Sequence, residues 1–96
     1  MAQFLITYDN KSPRNYTALY RLMAGWNAVR LADSVWLANL VGPAHVVRNI
    51  VQGTMQLNDR VAVLELQPGS DWATSRVDAA ASTWLAKYIT PAQMVA

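Results

Sequence analysis

At 96 residues, 53% of them hydrophobic, the chain is long enough for one core and too short for two, so it reads as a single domain over 1–96. The absence of cysteine excludes disulfides, thiolate metal centres and cysteine nucleophiles. The net charge of +2 hides an asymmetry: through Arg48 five basic side chains stand against two acidic ones, and beyond it three stand against four, so an anionic partner would meet the first half.

The chain opens on Phe4-Leu5-Ile6-Thr7-Tyr8-Asp9, an alternation of period two that predicts a strand. Phe4, Ile6 and Tyr8 share the face that can enter a core, and Leu5, Thr7 and Asp9 point the other way. Asn10-Lys11-Ser12-Pro13 then breaks the pattern, with Ser12 suited to an N-cap and Pro13 to the first helical position. Tyr16, Leu19, Tyr20 and Met23 recur at helical spacing, so a helix is expected from Pro13 to Ala24.

Ala28 to Leu31 and Val35 to Val41 read as the arms of a hairpin, with Asp33-Ser34 as its bend. Gly42-Pro43 opens a second expected helix, through Val47, Ile50 and Val51 to Gly53. Asn58-Asp59 makes a turn before Arg60 to Leu66, the clearest strand in the chain. Pro68-Gly69-Ser70 stops it, Ser70 or Asp71 can cap, and Val77, Ala80 or Ala81, Trp84 and Tyr88 predict a final helix from about Trp72 to Tyr88.

The order β-α-β-β-α-β plus a terminal helix predicts an α+β fold of the ferredoxin-like kind, an antiparallel sheet with helices on one face. Leu5 and Val61 or Val63 are expected on the other face, an apolar surface that a twofold homodimer would bury unless the final helix covers it. No apolar run approaches the roughly 20 residues of a membrane span, and no secretory leader is recognisable, so the expected setting is the cytoplasm with no membrane partner.

In that topology Asp9, Asp33, Ser34, Asp59 and Arg60 gather at one end of the sheet, beside Lys11 and Arg14. Carboxylates next to cations suit metal-assisted phosphodiester chemistry, in which oxygen ligands hold magnesium or manganese and basic groups neutralise phosphate. Asp33 and Asp59 have a structural reason to be where they are, since Asp favours turns through its own side-chain hydrogen bonds. Lone His45, near a helix start, suits a surface role.

The stretches Leu5-Ile6-Thr7-Tyr8-Asp9 and Arg30-Leu31-Ala32-Asp33-Ser34-Val35-Trp36 resemble the two signature segments of the CRISPR-associated Cas-two family. Tyr16, Leu19, Tyr20, Asn58-Asp59, Trp72 and Trp84 bring the chain closer to that family's small SinR-like relatives. The resemblance implies a ferredoxin-like homodimer with Asp9 as the metal-binding, catalytic acid near the twofold axis, supported by Ser34 and Arg30. RNA or DNA would be the partner, contacted by Lys11, Arg14 and Arg30. Two departures stand out: Asn10-Lys11-Ser12-Pro13-Arg14 replaces the charged run that often follows Tyr-Asp, and a helix is expected where a terminal strand would complete the dimer.

Two readings of function therefore stand side by side. One is a metal-dependent endonuclease or endoribonuclease, and the other is a non-catalytic dimeric interaction or scaffold protein on the same fold. A dimer enclosing a small ligand is a third class for which no constellation is visible. An RNA-recognition module shares the strand order but lacks its glycine-and-aromatic signature here. The four tryptophans, Trp26, Trp36, Trp72 and Trp84, read as core or interface residues.

Overall fold

The computed structural model describes residues 1–9, 16–56 and 58–90. Their elements follow in the order β1 (Ala2–Asp9), α1 (Thr17–Gly25), β2 (Val29–Ala32), β3 (Val35–Leu40), α2 (Ala44–Gln52), β4 (Arg60–Leu66) and α3 (Ala79–Tyr88). The strands form one four-stranded sheet in the order β2-β3-β1-β4, and every neighbouring pair is antiparallel. β1 therefore runs parallel to β2 with β3 between them, and β3 runs parallel to β4 with β1 between them. The α+β class and the antiparallel sheet agree with the sequence.

Register assigns the faces, because residues directly opposite across an antiparallel pair point the same way. Phe4, Ile6 and Tyr8 share a face with Ala38, Trp36, Val61 and Val63. Here Leu19 and Met23 of α1 and Val47 and Val51 of α2, each pair one helical turn apart, complete the larger core cluster. Gly42 belongs to this packing: a Cβ on it would lie 3.0 Å from Cζ of the fully buried Phe4.

Leu5 lies between Leu37 and Leu64 on the opposite face. The expectation of Val61 or Val63 there is corrected by one step of strand parity: Leu64 and Ala62 occupy it, and Val61 and Val63 pack against the helical core. Nor is that face free of helix. Ala81, Trp84, Leu85 and Ile89 cover Leu37, with Leu5, Val29, Leu31 and Leu66 packed around them, so the sheet lies between two helical layers. On β4 the cover reaches Leu66 but not Leu64, which is 52% exposed.

The start of the last helix differs most from the sequence reading, and that of the first falls partly outside the described residues. The described part of the first helix starts at Thr17, and the expected start at Ser12-Pro13 lies outside the described residues. The last helix starts at Ala79, not near Trp72, and Asp78 takes its N-cap position in an extended conformation. The preceding segment is tied elsewhere. Gly69 N–H donates to the Ile89 carbonyl at 2.6 Å, and the Trp72 indole N–H donates to the Thr90 carbonyl at 3.3 Å, which anchors 69–72 at the far end of α3. Arg76, at φ 63, adds a left-handed residue that no helix accommodates.

Among the described residues, no helix is long and apolar enough to cross a membrane.

Candidate functional site

Asp9 ends β1 directly opposite Arg60, the first residue of β4. Arg60 Nη1 lies 3.9 Å from Asp9 Oδ2, and the two side chains are 74% and 57% exposed, so the pair is solvated and loosely held. Thr7, Tyr8, Val61 and Ala62 complete the walls of a shallow groove around them. Thr7↔Val35, Ala32↔Val35 and Asp9↔Arg60 place the hairpin bend and the start of β4 at the same end of the sheet as Asp9.

Sharing an end does not bring the carboxylates together. Asp59 is 4% exposed and serves its own turn: its Oδ2 accepts from the Gln56 N–H at 3.0 Å, and its N–H donates to the Gln56 carbonyl at 3.0 Å. Asp33 and Ser34 form the bend between β2 and β3, with Ser34 at φ 62, a left-handed conformation that β-branched residues resist. Ser34 meets β1 through its backbone, where its carbonyl accepts from the Tyr8 N–H at 3.3 Å. Among the described residues, no three His, Asp or Glu side chains gather as a metal site would require. Asp9 thus reaches this end with a cation beside it and without a cluster of further acids.

Arg30 does not belong to the Asp9 groove. It pairs with Trp36, which pairs with Ile6, and so lies on the α1 side of the sheet, whereas Asp9 lies on the α3 side. Strand parity decides this: the structure does not bring Arg30 and Asp9 together within the chain. The guanidinium carbon sits 5.2 Å from the Tyr20 ring centroid and 5.0 Å from that of Trp36, and Nη2 donates to the Tyr20 hydroxyl at 3.1 Å. The hydrogen bond it donates to the Tyr20 hydroxyl raises the arginine's pKa above its ordinary value, against burial and with help from Tyr8.

An aromatic chain continues from there. Tyr16 stacks on Tyr20 at 5.5 Å and tilts against Tyr8 at 5.9 Å, while the Trp36 indole N–H donates to the Tyr8 hydroxyl at 3.2 Å. Arg30 is therefore a clamp that fastens α1 to the short β2 edge, and its enclosed Nε meets no hydrogen-bond acceptor among the described residues. The clamp escaped the sequence reading, which took Arg30 as a phosphate contact. Its signal lay in Tyr16 and Tyr20 at i, i+4, with an arginine and a tryptophan on the neighbouring hairpin.

Lys11 and Arg14, the other expected nucleic-acid contacts, lie outside the described residues. A separate cleft lined by Trp26, Asn27, Asn39, Trp84 and Tyr88 lies at the opposite end of the sheet.

Family models, curated proteins and solved structures were compared with this chain, and none matches it.

Proposed function

We propose that the protein is a non-catalytic, homodimeric interaction module on a ferredoxin-like fold. The fold reading is supported by the strand order taken from the other edge, β4-β1-β3-β2, in which two split βαβ units interleave. The single observation that carries the functional reading is the state of Asp9. Its carboxylate sits on the opposite face of the sheet from Arg30, and Arg60 supplies a positive charge beside it where a metal site would place further oxygen ligands. A cation of the protein's own lowers the attraction of that carboxylate for a divalent ion. The reading sets the dimer in the cytoplasm.

The second reading, a magnesium- or manganese-dependent nuclease with RNA or DNA as substrate, draws on the exposure of Asp9 at a corner of the sheet that α3 leaves open. There Asp9 of two subunits would have to share one ion, with Ser34 beside it and Lys11 and Arg14 on the phosphates. The resemblance of the Tyr8-Asp9 and Arg30-to-Trp36 stretches to the Cas-two family favours this alternative.

One assay separates the two. Purified protein and Asp9→Asn are incubated with labelled RNA and DNA in magnesium or manganese. The interaction-module reading predicts the same background in both preparations. Metal-dependent cleavage that Asp9→Asn abolishes while the circular dichroism stays unchanged would overturn it in favour of the nuclease.

A further inference from the structure

We propose that the free edge of β4 is the surface on which two copies of this chain join, β4 pairing antiparallel with β4 of the partner subunit to make one eight-stranded sheet. The inference rests on the dimeric reading above and specifies its interface. The two edges of the sheet are built differently. β2 has four residues, a register irregularity between Arg30 and Ala32, the arginine clamp on one face and α3 packed on the other. Short length, irregularity and cover are the devices by which edge strands avoid pairing.

β4 is neither short nor irregular, and the helical cover over its two faces leaves Ala62 and Leu64 exposed. Its seven residues, Arg-Val-Ala-Val-Leu-Glu-Leu, pair with β1 in unbroken register and contain no proline or lysine. Among the described residues, its outer edge meets no strand. Ala62 and Leu64 are exposed on one face, Val61 and Val63 are half-buried on the other, and α2, which packs against β4, exposes Val46 and Ile50.

Symmetry then selects the occupant. A twofold axis perpendicular to the sheet keeps each residue on its own face, so paired positions must be separated by an even number of residues. Centring the axis on Val63 uses the whole strand: Val63 meets Val63 of the partner subunit, Ala62 and Leu64 exchange partners, Val61 meets the partner's Glu65, and Arg60 meets the partner's Leu66. The middle of this pairing is entirely apolar. Arg60 and Glu65 lie on opposite faces of the sheet, so the seam places no like charges opposite one another, and each meets an apolar residue, the partner's Leu66 or the partner's Val61. An edge that carries backbone N–H and C=O groups with no strand partner among the described residues, and whose middle is apolar, is complementary to a second copy of itself.

The test uses the two exposed positions that this register places opposite each other. Wild type, Ala62→Lys/Leu64→Lys and Ala62→Lys/Leu64→Glu are compared by sedimentation equilibrium, with circular dichroism confirming that each is folded. Wild type should sediment at twice the chain mass. The double-lysine variant sets like charges across the axis and should weaken association by at least about tenfold. The lysine–glutamate variant sets opposite charges there and should recover most of the loss. If both variants dimerise as wild type does, the edge interface is wrong while a dimer through another surface survives. If both are weakened equally, the register centred on Val63 is wrong. A wild type that stays monomeric at tens of micromolar overturns the interface and the dimeric reading together.

Discussion

Arg30 illustrates how neighbours decide the use of a charged side chain. Resting against two neighbouring rings and bonded to the Tyr20 hydroxyl, its guanidinium depends on being planar and delocalised, which an ammonium cannot reproduce. Arg30→Lys should therefore destabilise the protein by about 1–2 kcal/mol, read from urea denaturation followed by tryptophan fluorescence. A loss below about 0.3 kcal/mol would show that the stacking contributes nothing. The folded-state pKa of Arg30 is raised, so its contribution is present at every pH below its already high ordinary value and is lost only as pH rises through the folded value. The difference between Arg30→Lys and wild type should accordingly stay flat from pH 5 to pH 9. Asp59 shows the reverse economy, an acid whose place is explained by its turn. The turn role of Asp59 was legible, because Asp in a turn has a local cause; the Arg30 clamp was not, because it joins a helix to a hairpin through contacts distant in sequence.

Among the elements, β4 matches the sequence reading residue for residue, and α2 differs from it only at its ends. Both have strong local signals, a period of two in one and Val47 with Val51 in the other. The start of α3 was hidden because Ser70 and Asp71 look like helix caps, while long-range hydrogen bonds to Ile89 and Thr90 hold that segment back. The face of Leu64 was misjudged by one residue of parity, since register between strands more than fifty residues apart has no signal in either strand alone. The entry to α2 depends on Gly42, against which Phe4 packs. Gly42→Ala should cost about 1–3 kcal/mol because Phe4 is fully buried and has no room to withdraw. A thermal melt indistinguishable from wild type would show that the entry to α2 shifts freely.

At the scale of the whole molecule, α3 changes what the sheet can do. The sheet-to-sheet dimer expected from an uncovered face meets a helix over Leu5, Leu37 and Leu66, and the apolar surface left over lies along β4. The proposed association surface therefore lies on an edge and not on a face. That placement separates the two carboxylates: Asp9 lies opposite Arg60, three residues from the proposed axis and one strand inward. The two Asp9 backbones would then stand roughly 25 Å apart, from the ordinary rise along a strand and spacing between strands. One divalent ion held by both would need them within about 12 Å. The chain has no cysteine, so Asp9→Cys gives a single labelling position. A dipolar distance measurement between spin labels at that position in the dimer tests the account most directly. A distribution consistent with a backbone separation near 25 Å is predicted, and one requiring the two positions within about 12 Å would contradict the edge-paired, non-catalytic module and restore the shared metal site.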